Sequence, residues 1–373
     1  MSALDQLASD VARFKAEVYG KQPQVTATGR DYSRLGSLEG FDHLINETLL
    51  PSAAFRLVRD GTPVPVRAYT KTFGKRDPIR VADPALVFDW FGDGATIILE
   101  SLHRYSPPLR EFCRALEGEL RHATQVNAYI TPPGAQGFAT HVDSHDVFVA
   151  QVFGRKRWMV YGADDVEGER APLIERHLEV GDCLYIPKGF PHAAATTASA
   201  SAHLTIGILP TKWSQFEKEL TSLLRERGED VIPPAEVEAS HPQAMAGRLI
   251  DEMRTKLDEV SEDELTQRLA RVFVTSRHHS LGGQLQRVLD AREVADPDEV
   301  VTRTEWARFD RDDEVIVILP DRELRFSARL APALDVILQD GPFRVIDLKP
   351  HLDEDERRAM VARLLKEGLL ELT

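Results

Sequence analysis

The sequence predicts an α+β chain built around a double-stranded β-helix, or jelly roll, followed by a helical region and a small winged-helix-like C-terminal domain. Three observations predict it: a middle stretch of short strands punctuated by turns, a His-x-Asp pair answered much later by a histidine just after a tight turn, and helical periodicity on either side. At 373 residues the chain has room for two or three domains with a substantial core.

Taken in order, residues 1–90 mix short helical patterns with loops and read as an α/β extension packing on the barrel. Leu4, Leu7, Val11 and Phe14 recur at helical spacing, a loop follows from Gly20 to Gly36, and a second helical pattern lies near Leu38 to Leu50. Residues 91–210 read as the catalytic barrel, interrupted by one helix near Pro108 to His122 with Leu109, Phe112, Leu116 and Leu120 in a stripe. Within it, Asp146 to Phe153 and Lys156 to Tyr161 read as a hairpin joined by Gly154-Arg155. Residues 211–299 turn helical: Trp213 to Arg227, His241 to Leu257, then a segment opened by Ser261 with Glu264 as a capping box. The apolar face of Ile250, Met253 and Leu257 either packs within the chain or forms a homodimer seam.

Residues 300–373 read as the winged-helix-like domain. Val315 to Leu319 and Arg322 to Phe326 form a strand pair, Leu330 to Leu338 a helix, and a last helix opens at Asp353 with Glu356 as reciprocal cap and stops at Gly368. Direct DNA binding is not expected, because that helix would drive Asp353, Glu354, Asp355 and Glu356 toward phosphate. The net charge of −14 and a pI near 5.4 likewise argue against a nucleic-acid or anionic-membrane surface and suit a basic partner. Cys113 and Cys183 are the only cysteines, so no disulfide framework is implied. With no basic leader, no apolar leader core and no run of membrane-spanning length, a cytoplasmic location is expected.

The chemistry is written in few residues. Side chains two apart on a strand share a face, so His141 and Asp143 can reach one ion, and His192 follows the turn signals Gly181-Asp182 and Pro187-Lys188-Gly189. Two imidazoles and a carboxylate suit a ferrous ion that keeps positions open for oxygen and a co-substrate. His145 continues the register and is the rival third ligand, although choosing it leaves the element ending at His192 without a role. Lys156 shares a face with Trp158 and Val160, where an unpaired ammonium is costly; a dicarboxylic co-substrate would pair it, and snorkelling to water is the other reading. Gln125, Asn127, Tyr129 and Thr131 form one polar strand face, and His203, Thr205 and Gly207 another, as a barrel holding a polar ligand requires.

The runs from Gln125 to Asp143, Gly154 to Trp158 and Gly181 to His192 resemble the JmjC-type cupins of the ribosomal oxygenase family, strongly over about residues 90–210. That resemblance implies an Fe(II)- and 2-oxoglutarate-dependent protein hydroxylase acting on a histidine or arginine of a ribosomal protein. Carried across, His141, Asp143 and His192 fall on the iron ligands, Lys156 on the partner of the distal 2-oxoglutarate carboxylate, and Asn127 on an amide lining that co-substrate. His203 and Thr205 fall on the strand that closes the pocket. Ser144 departs from relatives that carry a second acid after the metal aspartate, which leaves the substrate open. The competing readings are a peptide-tailoring hydroxylase of natural-product biosynthesis, a lysine demethylase, and a metal-binding cupin acting as a non-enzymatic regulator.

Overall fold

A computed structural model of the chain describes residues 2–27, 29–135, 139–165, 170–226, 242–277, 282–296, 298–302, 306–310, 313–339 and 341–373. The chain divides into two units, Met1–Pro210 and Thr211–Thr373. The first begins with α1 (Ala3–Leu7), opened by a Ser2/Asp5 capping box, and α2 (Val11–Arg13), which runs into a π-helical turn over Phe14–Val18. Leu4, Leu7 and Phe14 are buried, as their spacing requires.

The stretch from Gly20 to Gly36, expected to be loop, contains a strand. This is β1 (Gln24–Ala27), which pairs antiparallel with Asp182 to Tyr185. Four residues whose partner lies far along the chain carry little local signature. After α3 (Leu38–Glu47) the remainder of the first ninety residues forms β2 (Phe55–Arg59), β3 (Thr62–Pro63), β4 (Thr70–Phe73), β5 (Ile79–Ala82) and α4 (Pro84–Gly92).

Next come β6 (Thr96–Leu99), α5 (Pro107–Leu120), β7 (Ala123–Thr131), β8 (Asp146–Val160), β9 (Ile174–Leu178), β10 (Asp182–Ile186) and β11 (His192–Leu209). Nine strands form one sheet in the order β1-β10-β8-β11-β7-β6-β2-β3, with β9 beside β8. Its pairings are antiparallel. Alternation gives the sheet two different faces. On one, Val126, Ala128, Ile130 and Leu204 join helical Leu4, Phe41, Leu109 and Leu116 in the larger core. On the other, Val147, Val149, Trp158, Val160, Leu184 and Ile186 form a second core that underlies the site. Each fully buried aliphatic side chain contributes roughly 1.5–3 kcal/mol.

The expected hairpin over Asp146 to Tyr161 is instead the single strand β8, and Gly154 explains the difference. Its φ is +57°, and β11 lies so close that a Cβ at this position would meet the Ala200 carbonyl oxygen at 2.1 Å. The glycine marks a bulge rather than a turn, with the register of β11 shifting between Thr196 and Ser201. Beyond the bulge, Lys156, Trp158 and Val160 are buried while Arg157 and Met159 are less so, so the alternation survives. Gly154→Ala combines a left-handed backbone with a backbone clash and is expected to cost roughly 3–5 kcal/mol. Urea denaturation checks this, and a wild-type midpoint would refute the bulge argument.

The second unit contains α6 (Trp213–Glu226), α7 (Pro242–Asp258), α8 (Glu262–Ser276) and α9 (Gln284–Asp290). Arg227 and His241, at the ends of the expected helices, lie outside the described residues. The Ser261/Glu264 capping box opens α8 with both reciprocal bonds present. Then follow β12 (Glu299–Thr302), β13 (Ala307–Asp310), β14 (Glu314–Ile318), β15 (Glu323–Ser327), α10 (Ala331–Ile337), β16 (Phe343–Arg344), α11 (Glu354–Lys366) and β17 (Leu370–Leu372). The expected strand pair is β14 against β15, and Asp353 caps α11 reciprocally with Glu356. Val317, Leu334, Ile337, Val361, Leu364 and Leu370 form this unit's core. Among the described residues no helix is long and apolar enough to cross a membrane.

Candidate active site

The two segments expected to carry a metal meet at the start of β11. His141 and His192 form a β-bridge, with His192 N–H donating to the His141 carbonyl at 2.9 Å and His141 N–H to the His192 carbonyl at 3.1 Å. Gly189 N–H donates to the Asp143 carbonyl at 3.3 Å. Asp146 holds the intervening turn: its Oδ1 accepts from Lys188 N–H at 2.8 Å and its Oδ2 accepts a short hydrogen bond from the Tyr185 hydroxyl. Turn chemistry in the sequence thereby becomes a fixed spacing between ligands.

The result is a cluster of His141, Asp143 and His192 with one ligand atom from each lying within 4.8 Å of the others, and it is the only such cluster among the described residues. His192 Nε2 lies 3.6 Å from Asp143 Oδ2. Each histidine Nδ1 sits 3.0 Å from a backbone carbonyl, that of Ala139 for His141 and that of Phe190 for His192. A proton on Nδ1 donates there and leaves the Nε2 lone pair for a metal. His141 is exposed, Asp143 half-buried and His192 buried, so the cluster spans the mouth of a pocket. Burial, first of all, pushes the His192 pKa below its usual value and favours the neutral, ligating form. His145 belongs elsewhere: its Nε2 packs against Gly207, 2.6 Å from where a Cβ there would lie.

The pocket behind the cluster is lined by Tyr129, Val147, Val149, Lys156, Trp158, Ala194, His203 and Thr205. Lys156 is 3 % exposed, its ammonium donates to Thr131 Oγ1 at 3.2 Å, and burial pushes its pKa down to about 8. Among the described residues no carboxylate pairs with it. Its burial excludes the snorkelling alternative. His203 stacks on Tyr129 with centroids 5.0 Å apart and meets the edge of Trp158 at 5.2 Å. Burial, then the Lys156 charge, holds His203 well below its ordinary pKa.

His203 Nδ1 and Trp158 Nε1 are buried with no hydrogen-bond partner among the described residues. Unpaired polar atoms around an unpaired cation are costly in a closed core and fit a pocket made for a polar, anionic guest. Asn127 lies outside this lining: its Oδ1 accepts from Ser101 N–H at 2.9 Å and Gln125 Nε2 at 3.3 Å, and its side chain hydrogen-bonds Tyr129. Tyr129 and Thr131 were not singled out as site residues by sequence, although they share the polar face of Asn127; their position on it was the available signal.

Residues 102–216 match the model of the JmjC domain. That stretch, under a third of the chain, carries the His141, Asp143 and His192 cluster and is similar to JmjC domains. Its relatives include ribosomal oxygenase 1 of Gallus gallus, 34% identical over 180 residues, which are 44% of this chain and 30% of that protein. Another is the bifunctional lysine-specific demethylase and histidyl-hydroxylase NO66 of Drosophila simulans, 34% identical over 186 residues, 45% of this chain and 22% of that protein. The chain spans less than a third of the length of these two relatives. The crystal structure of the Escherichia coli ribosomal oxygenase YcfD shares the fold, with a TM-score of 0.60 at 20% identity over 98% of this chain and 99% of that one. YcfD has also been solved in complex with cobalt and 2-oxoglutarate, a structure that superposes at TM-score 0.59 and 19% identity over the same shares of the two chains.

Proposed function

We propose that this chain is an Fe(II)- and 2-oxoglutarate-dependent oxygenase that hydroxylates a histidine or arginine side chain of a ribosomal protein. One observation carries the reading: a set of two imidazoles and a carboxylate opens onto a pocket containing a buried ammonium that has no counter-ion among the described residues. The donor set suits iron with open positions, and the ammonium suits a diacid. Iron held by His141, Asp143 and His192 would couple dioxygen to decarboxylation of 2-oxoglutarate, placing one oxygen atom in succinate and the other in the substrate C–H bond, with release of carbon dioxide.

The protein's share is placement. The Ala139 and Phe190 carbonyls fix the two imidazole tautomers, and Thr131 aims the Lys156 ammonium at the distal carboxylate. His203 and Thr205 close the pocket from β11, while Asn127 acts on the co-substrate through Tyr129, which it holds against His203. Excluding water from this end strengthens the Lys156 charge pair.

The substrate class is drawn from the relatives' names, and the net charge of −14 suits a basic ribosomal protein met in the cytoplasm. We assign residues 1–90 and 91–210 to the extension and jelly-roll core, 211–299 to a dimerisation region and 300–373 to a winged-helix-like domain. Half-exposed Ile250 and Met253 on α7 support a homodimer seam, and the acidic first turn of α11 supports partner contact rather than DNA. Incubation of iron-loaded protein with ribosomal proteins and 2-oxoglutarate, followed by mass spectrometry, should find one residue gaining one oxygen. Loss of a methyl group instead would make it a demethylase, and no modified ribosomal protein would favour the peptide-tailoring alternative.

A further inference from the structure

The overall charge of −14 hides one segment of opposite sign. Between Val64 and Arg80 the chain carries Arg67, Lys71, Lys75, Arg76 and Arg80 against a single acid, Asp77. Most of this segment is the β4–β5 hairpin, a two-stranded sheet of its own that is tied at its base by a Pro51–Val81 bridge and by Ala82 N–H donating to the Leu50 carbonyl at 2.8 Å. Register sets Lys71 opposite Val81 and Phe73 opposite Ile79, so these four share one face. Val81 is fully buried and anchors the base, whereas toward the tip Phe73 is 48% and Ile79 52% exposed. Lys75 and Arg76 occupy the connecting turn, both exposed.

Arg80 is tied down within the hairpin, donating to the Thr70 hydroxyl and carbonyl oxygens at 2.9 Å, and the other four contrast with several arginines elsewhere in the chain. Arg56, Arg157, Arg308, Arg322 and Arg357 each hold a carboxylate. Among the described residues no carboxylate pairs with Arg67, Lys75 or Arg76, and Lys71 reaches Asp83 only at 4.0 Å. In a chain where acids outnumber bases by 60 to 46, exposed cations close in sequence to a half-exposed ring, three of them without a carboxylate among the described residues, suit an anionic partner. Single-stranded nucleic acid has the matching chemistry: phosphates for the cations and a base for the ring. An anionic membrane matches less well, since two half-exposed apolar side chains bury little area in lipid.

We propose that the hairpin from Thr70 to Ala82, together with Arg67 just ahead of it in the chain, docks single-stranded RNA, with Lys75, Arg76, Lys71 and Arg67 on phosphates and Phe73 under a base. The choice of RNA among nucleic acids rests on the ribosomal substrate proposed above. It gives the enzyme a handle on the RNA that accompanies ribosomal proteins, separate from its catalytic pocket.

The test is fluorescence-anisotropy binding of labelled oligouridylate, about twenty nucleotides long, to the full chain without iron or 2-oxoglutarate. Wild-type protein should bind with an affinity that falls as salt rises. The double variant Lys75→Glu/Arg76→Glu should bind roughly ten-fold or more weakly and show a log–log salt slope flatter by about 1.4. Phe73→Leu, which keeps an apolar partner for Ile79, should weaken binding without changing that slope. All variants should melt like wild type and form succinate with a peptide substrate at the wild-type rate. The proposal is overturned if wild type does not bind RNA, if the variants bind as tightly as wild type, or if phosphatidylserine vesicles bind while RNA does not. Because no cofactor is present, a negative result here leaves the oxygenase reading standing, and a failed hydroxylation assay leaves the RNA result interpretable.

Discussion

His192→Ala is expected to abolish succinate formation, lowering turnover by about a thousand-fold or more, because it removes the proposed ligand that joins β11 to the His141–Asp143 segment. The buried imidazole has its Nδ1 committed to the Phe190 carbonyl, and its Nε2 is 3.6 Å from Asp143. Without it only one histidine and one carboxylate of the cluster would remain to hold iron. The matched control is His145→Ala. That histidine packs on Gly207 away from the cluster, so its loss should leave succinate formation near wild type. A dead His145 variant beside an active His192 variant would reverse the ligand assignment.

Lys156→Met is expected to act in opposite directions on stability and on binding. The lysine's folded pKa of about 8 lies below its ordinary 10.5, so the charged form is disfavoured in the native state. The charge therefore costs stability throughout the range below about pH 8, and the cost fades as pH rises from there toward 10.5. The shift corresponds to about 3 kcal/mol. Methionine has similar volume and no charge to desolvate, so the ligand-free variant should melt several degrees higher at neutral pH. Its affinity for 2-oxoglutarate should fall by about a hundred-fold or more, through loss of a buried charge-assisted contact. The wild-type affinity should itself weaken above pH 8 as the ammonium deprotonates. A variant that is less stable, or that binds 2-oxoglutarate as wild type does, contradicts this account of the lysine.

These two residues show why the site was legible in the chain. His141 and Asp143 depend only on the two-residue period of extended backbone, and His192 on a turn whose glycine and proline are explicit. Lys156 announced itself by conflict, a charge placed among Trp158 and Val160. The Ser261 and Asp353 caps were equally readable, since a reciprocal cap is closed within four residues. What escaped sequence reasoning was non-local. Gly154 carries a left-handed φ, which serves a turn and a bulge alike, and only the approach of Ala200 decides between them. β1 owes its existence to β10, and no pattern within Gln24 to Ala27 names that partner. Asn127 and Tyr129 share a face, and their division of labour depends on Ser101, whose N–H turns the amide away from the pocket lining. The positive hairpin was concealed differently, by summing charge over the whole chain when binding responds to local fields.

The most direct test of the central claim, that one iron and one diacid share this pocket, is anaerobic calorimetric titration of 2-oxoglutarate into the protein with and without Fe(II). The account predicts one molecule bound per chain, tightly only when metal is present, and metal-dependent binding lost in His192→Ala. Equal binding without metal, or undiminished metal-dependent binding in that variant, would contradict it.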